Sequence, residues 1–475
     1  MKVLYITSEA SPFAVGGTLG ETAGALAHAL RTRLIGCRVV LPLYEGIPQE
    51  LKNTMSFLTS LSVPVAWRRQ YCGVFEAKVN GVIYYLLDNQ YYFKRPGLYG
   101  HFDDAERFAF LSRAVLEMLP FIDFKPDIIH ANDWQTALVP IYHNLYYKQK
   151  EGYQGIKTVY TIHNIQNQGK FGPEMLEDVL GIGQTEKHLV EQDERINLMY
   201  GAVRCADSVT TISPTYAAEI CQPWHGYGLD NTLRSLDHKL IGILNGIDTD
   251  LYNPENDSVI AFPYTADDLR PKAANKQALQ AELLLPADAS VPIIGMNSRL
   301  VAQKGLDLVK FVLGELLQEH VQMIILGSGD WTYETCFREM QEQYPEKFRF
   351  CSGFNEKLAH KLYAGSDLFL IPSKSEPCGS TQMIACRYGA VPIVRKTGGL
   401  SDSVVDCAND MGNGFVFTSE NANDMLYTLR RALAAFDDKP FWSALAQRAM
   451  RTDFSWGRTA NEYIRLYRSL NKISE

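Results

Sequence analysis

The chain has 475 residues, 46% hydrophobic and 21% charged, which is enough for two or three globular domains and too long for one compact core. Its net charge of -8 argues against a protein that grips nucleic acid or an acidic membrane through broad electrostatics. Nine scattered cysteines, odd in number and without a C-x-x-C pair, argue against a disulfide scaffold or a common zinc motif and fit a reducing cytosol. At the N-terminus one lysine and a four-residue apolar run give way to Ser8 and Glu9, too short for a signal peptide's apolar stretch. With no run of about eighteen apolar residues, the expectation is a soluble, cytoplasmic chain with no membrane and no nucleic-acid partner.

In chain order, short β-branched runs alternate with helix-like stretches: Val3 to Ile6, Cys37 to Tyr44, Asp127 to His130, Lys157 to His163, Ser208 to Ser213 and Leu240 to Leu244. That rhythm predicts parallel βαβ units. A single hairpin interrupts it, turning at Asn80-Gly81, and is expected to cap one sheet edge. The rhythm restarts at 292–296, 321–326, 348–350, 368–372 and 391–394, which predicts a second doubly wound domain. The expected domains are 1–247 and 248–455. A hinge is expected along 248–266, and a terminal helix over 456–475 presents Ala460, Tyr463, Ile464, Tyr467 and Leu470 on one face as it packs back on the first domain.

Ligands of open α/β sheets gather outside the carboxyl ends of the strands. The polar residues of this sequence recur there, which predicts two Rossmann-like domains facing each other across a deep cleft. Arg299 and Lys304 are cations suited to a diphosphate, and Thr397, Gly398 and Gly399 would offer amides at a helix start. Glu376 is the carboxylate best placed to meet a sugar hydroxyl or a developing positive charge, and His163 and Asp133 are the polar groups of the first domain. Taken singly, each has a plainer reading: a solvated cation, an imidazole satisfying a backbone carbonyl, or a helix cap.

Seven stretches, 130–140, 160–171, 212–220, 242–254, 298–309, 372–383 and 395–404, carry a resemblance over nearly the whole chain. The sequence resembles bacterial glycogen synthases and plant starch synthases. That resemblance implies a GT-B fold and metal-independent, cofactor-free, retaining transfer of glucose from ADP-glucose to the non-reducing 4-hydroxyl of an α-1,4-glucan. It also implies Arg299 and Lys304 on the donor phosphates, Glu376, Cys378 and Gly379 beside the donor glucose, His163 and Asn245 near the sugar, and Tyr363 under the adenine. UDP-glucose remains the alternative donor.

The family's first glycine-rich loop resembles its second, with a lysine ahead of the glycines. Here Val15 stands for that lysine, Thr18 for the second glycine and Glu21 for an aspartate. Two readings of this loop stand: Gly17 and its neighbours hold the donor diphosphate with Glu21 beside a sugar, or Thr18 and Glu21 form a helix capping box. Ser380, where the family has leucine, is expected to remove apolar packing beside Glu376. Three alternatives compete with the synthase: a weak or inactive glucan-binding or priming relative, a metal-dependent transferase using Asp248 and Asp250, and an NAD enzyme, for which the G-x-G-x-x-G spacing is missing.

Overall fold

Each apolar run named above forms a strand, most of them buried along their length as parallel strands require. The structure, a computed structural model, describes residues 1–471 in two units: Met1–Asn245 with the C-terminal helix Trp456–Leu470, and Gly246–Ser455.

The first unit contributes β1 (Lys2–Ile6), β2 (Gly36–Pro42), β3 (Ser56–Val65), β4 (Arg68–Val79), β5 (Val82–Asp88), β6 (Ile128–Asn132), β7 (Lys157–Ile162), β8 (Lys170–Phe171), β9 (Glu191–Gln192), β10 (Arg195–Asn197), β11 (Ser208–Thr211) and β12 (Leu240–Gly242). Nine of these form one sheet in the order β12-β11-β7-β6-β1-β2-β5-β4-β3, parallel from β12 to β5 and antiparallel beyond. The winding direction reverses between β1 and β6, which makes their carboxyl ends the crevice of this sheet.

The Asn80-Gly81 turn is present, and both residues adopt positive φ, 49° and 78°, as a two-residue turn matched to strand twist requires. The expectation of a single hairpin is corrected. β3 pairs antiparallel with β4 through a turn at Ala66 (φ 51°), so β3 is the edge, and β8, β10 and β9 form a small separate sheet. β3 escapes a sequence reading because its outer residues are exposed and it contains Pro64, which an edge strand tolerates.

The terminal helix buries Ala460, Tyr463, Ile464 and Tyr467 and lies against the helix Thr18–Thr32. Tyr467 hydroxyl meets His130 Nδ1 at 2.7 Å, and Thr459 donates to Leu244 O at 2.8 Å.

The second unit holds β13 (Ile293–Asn297), β14 (Gln322–Gly327), β15 (Phe348–Ser352), β16 (Leu368–Ile371), β17 (Val391–Arg395) and β18 (Phe415–Phe417), all parallel, in the order β15-β14-β13-β16-β17-β18. Its winding reverses between β13 and β16. Ile294, Met323, Leu368, Val391 and Phe415 run through one core beneath the helices. The stretch 248–266 is packed into this unit. Asp257 accepts from Tyr388 (2.6 Å) and meets His360 Nδ1 at 2.7 Å, while buried Tyr264 donates to Tyr388 O at 2.7 Å. The aromatic side chains among its polar and proline residues anchor it.

Candidate active site

In the second unit the loops after β13 and β16 are fastened together at the switch point. Gly305 (φ 72°) opens the helix Leu306–Leu316, and a Cβ there would fall 2.0 Å from Pro372 O, so only glycine lets the two loops meet. Lys374 N donates to Gln303 O at 2.8 Å. Lys304 Nζ consequently reaches Glu376 Oε2 at 2.5 Å, and the same oxygen accepts from Ser373 Oγ at 2.9 Å. Both charged side chains are largely buried, at 19% and 12% exposure. Arg299, on the same loop as Lys304, is exposed and has no ion pair among the described residues. Glu376 is therefore held by a cation and a hydroxyl and does not cap a helix.

The third segment of this site, Thr397 to Gly399, differs from expectation. Gly399 N donates to Glu376 O at 3.0 Å, and the helix that follows, Gly398–Ser403, is only six residues long. A Cβ at Gly398 would lie 2.1 Å from Glu376 O, and one at Gly399 would lie 2.0 Å from Cys378 O. These glycines let the backbone of 376–378 lie against them, and Gly399 has no amide to spare for an anion. Thr397 is buried beside them.

Two residues that sequence reasoning passed over support the same loop. Buried Gln382 donates to Cys378 O (3.1 Å), Gly379 O (2.8 Å) and Ser403 Oγ (3.0 Å), and Arg395 donates to Ser373 O (3.0 Å) and Lys374 O. Both stand within the quoted motifs, but their role is visible only in the carbonyls they hold. Gly379 has φ 72°, and Ser380 is exposed.

Tyr363 is 3% exposed, with its ring stacked on Phe369 at 4.7 Å. Neither face of that ring is open in this structure, so an adenine finds no platform there as the ring now lies. A sequence motif identifies an aromatic residue and says nothing of its exposure.

In the first unit the polar groups collect at the carboxyl ends of β1, β6 and β7. Asp133 (φ 55°) follows β6, and its Oδ1 accepts from the amides of His163 (2.7 Å) and Asn164 (3.3 Å). Burial pushes this carboxyl up to about 7, against those amides, and the nearby Glu9 charge adds to the rise. His163 Nε2 donates to Asn132 Oδ1 at 2.9 Å, so the ring satisfies a side-chain amide and not a backbone carbonyl. Burial pushes the imidazole down to about 3, which keeps it neutral near pH 7. Asn245 is buried, with Nδ2 3.4 Å from Thr22 Oγ1 and no partner for Oδ1 among the described residues.

The first glycine-rich loop forms no capping box. Gly17 is the N-cap of Thr18–Thr32, no side chain caps it, and Thr18 lies inside the helix, so Glu21 is one position too far along. Instead Glu9 Oε2 accepts from the amides of Gly16 and Gly17 (3.1 Å to Gly17), and Oε1 accepts from Tyr99 hydroxyl at 2.8 Å. The sequence signal for Glu9 was an acidic residue immediately past the first strand. Glu21 itself is exposed.

Asp248 Oδ1 is turned onto the amides of Asp250 (3.0 Å) and Leu251 (2.9 Å), the arrangement of a local turn. No cluster of three metal-ligating side chains occurs among the described residues, and no described helix is long and apolar enough to cross a membrane.

Residues 2–235 match the starch synthase catalytic domain family and residues 285–439 match glycosyl transferases group 1. The chain is 49% identical over 475 residues to a glycogen synthase of Bacillus cereus, covering 99% of this chain and 100% of that one. It is 50% identical over 481 residues to a glycogen synthase of Geobacillus stearothermophilus, covering 100% and 99%. Among solved structures, the catalytic domain of starch synthase IV from Arabidopsis thaliana, bound to ADP and acarbose, aligns over 99% of each chain with a TM-score of 0.88 and 36% identity. Two Rossmann-like units with these strand-end groups define a GT-B glycosyltransferase. The chain belongs to the glycogen and starch synthase family.

Proposed function

We propose that the chain elongates an α-1,4-glucan by retaining, metal-independent transfer of glucose from ADP-glucose to a non-reducing 4-hydroxyl, in the cytoplasm. The observation that carries this reading is the Lys304–Glu376 pair at the switch point of the second sheet, within family motifs. The nucleotide diphosphate is the leaving group, so the chemistry needs cations for its growing negative charge. Exposed Arg299 and partly exposed Lys304 are those cations. Glu376 lies beside the sugar with Cys378 and Gly379, where its carboxylate offsets oxocarbenium character. From the first unit, neutral His163 and Asp133 are the sugar-side groups, with Asn245 near them. Retaining glycosidases use two close carboxylates, one of them a nucleophile. Here the departing phosphate serves as base for same-face attack, and the His163 carbonyl supports the developing positive charge.

ADP is the nucleotide bound to the plant relative, which supports ADP-glucose over UDP-glucose. The test is glucose incorporation into a glycogen primer from each donor, with chelator present. Chelator-resistant incorporation from ADP-glucose is expected; incorporation that requires a divalent cation or proceeds only from UDP-glucose contradicts the proposal.

A further inference from the structure

Asn132 closes β6 at the switch point of the first sheet, fully buried, between Tyr5 of β1 and His163 just past β7. Its amide has one orientation open to it. Nδ2 donates to Ile6 O at 2.9 Å, and a carbonyl only accepts, so Oδ1 is the atom that faces both neighbours. That oxygen lies 2.9 Å from the Tyr5 hydroxyl and 2.9 Å from His163 Nε2. An amide oxygen cannot donate, so Nε2 carries the imidazole proton and Nδ1 the lone pair. No hydrogen bond reaches Nδ1 among the described residues, and His163 is partly exposed. The titratable groups around this end of the sheet are Tyr5 and Glu9 from β1 and its loop, His130 and Asp133 from β6 and its loop, and Tyr160 of β7 and Tyr216 beyond β11. Burial keeps the three tyrosines protonated and pushes His130 down to about 3, so Glu9 and Asp133 are the only charges near the ring at neutral pH.

We propose that Asn132 is a positioning residue which, with Tyr5 fixed behind it, locks His163 in the Nε2–H tautomer and so leaves Nδ1 as a hydrogen-bond acceptor for a substrate hydroxyl. Two consecutive residues hold His163 at both ends: Asp133 takes its backbone amide and Asn132 takes its ring. The opposite tautomer would set a ring lone pair against the Asn132 oxygen in a place closed to water, leaving both acceptors without a proton between them. Tyr5, 1% exposed, fills the second lone pair of that oxygen, and the Ile6 carbonyl holds the amide nitrogen, so the amide cannot turn to suit the ring. The inference deepens the proposed function and rests on it only in taking the hydroxyl that meets Nδ1 to be a sugar's.

Nitrogen NMR of the full-length protein carrying isotope-labelled histidine reads the tautomer directly, with the His163 signals identified by their loss in His163→Gln. The native ring is expected to be protonated at Nε2 and unprotonated at Nδ1 near neutral pH. Asn132→Leu, close in size, should release the ring to a mixture of tautomers and lower donor kcat/KM about tenfold. Asn132→Asp keeps an acceptor for Nε2–H but makes it a carboxylate, which favours the charged imidazolium and raises its pKa. The ring must be neutral to accept at Nδ1, so activity in this variant should fail at a higher pH on acidification, with the acidic limb of the pH–activity profile moved up by about one unit or more. A merely structural Asn132 would lower melting temperature and kcat in both variants and leave tautomer and acidic limb where they were. A native ring protonated at Nδ1, a folded Asn132→Leu protein that keeps the Nε2–H tautomer, or a folded Asn132→Asp protein with an unshifted acidic limb overturns the proposal. Because the tautomer is read without turnover, lack of synthase activity would count against the proposed function and leave this comparison standing.

Discussion

Lys304 Nζ and Glu376 Oε2 meet at 2.5 Å between the loops that follow β13 and β16, across the point where the second sheet reverses its winding. The pair sets the charge of the site before any ligand arrives. Removing Lys304 leaves a carboxylate at 12% exposure with only Ser373 as a side-chain donor, and removing Glu376 leaves the lysine unopposed. Lys304→Ala and Glu376→Ala are each expected to lower kcat by about a hundredfold or more, measured as ADP release with glycogen present. Near-normal turnover in either variant would show that the pair is not at the chemistry.

The glycines of the two loops sort by the atoms around them. Gly399→Ala and Gly305→Ala each drive a methyl to 2.0 Å from a backbone carbonyl, so the loops must part, and a loss of roughly 2–4 kcal/mol with most of the activity is expected. Gly17→Ala meets nothing within 4 Å and should be tolerated to within about 1 kcal/mol. Chemical denaturation of the three variants checks the ordering, and equal losses would contradict it.

Asp133 and His163 titrate in opposite senses. The Asp133 carboxyl is raised from 3.8 to about 7, so the native state holds an extra proton in that window and stability from this group falls as pH rises through it. The His163 imidazole is lowered from 6.5 to about 3, so the unfolded state holds the extra proton and stability from this group falls as pH drops from 6.5 toward 3. In the native chain the two contributions partly cancel. Asp133→Asn should leave a protein that loses stability on acidification, and His163→Gln one that loses stability between about pH 4 and 7 as pH rises. Denaturation at fixed pH steps reads both slopes, and parallel slopes in the two variants would refute the assignment.

The terminal helix is a working part of the first unit. Tyr467→Phe removes the hydroxyl facing His130 Nδ1 in a fully buried place and should cost about 1–3 kcal/mol. Tyr467→Ala adds a cavity and should cost about 3–5 kcal/mol. Urea midpoints for both variants measure the difference, and a Phe variant as unstable as the Ala variant would locate the effect in the hydroxyl alone.

The two parallel sheets could be read from the sequence because their strands are buried on both sides and appear as unbroken apolar runs. β3 could not, since an exposed edge strand with a proline carries neither a continuous run nor a clean alternation. The site was readable at the level of which residues gather at strand ends: Lys304, Glu376, His163 and Asp133 all lie there. What the sequence concealed was which backbone groups were already in use. Gly399 spends its amide on Glu376, and Gly16 and Gly17 spend theirs on Glu9, pairings that depend on close approaches between segments distant or differently folded in the chain. Tyr363 shows the same limit, for its motif position gave no sign that Phe369 covers it.

The most direct measurement incubates the protein with ADP-glucose and a short maltooligosaccharide, quantifies released ADP, and resolves the products by length and by linkage. The account predicts a ladder extended one glucose at a time, one ADP for each glucose added, and every new bond cleaved by an α-1,4-specific exo-amylase. ADP release without chain growth, or growth through bonds that this amylase leaves intact, would contradict it.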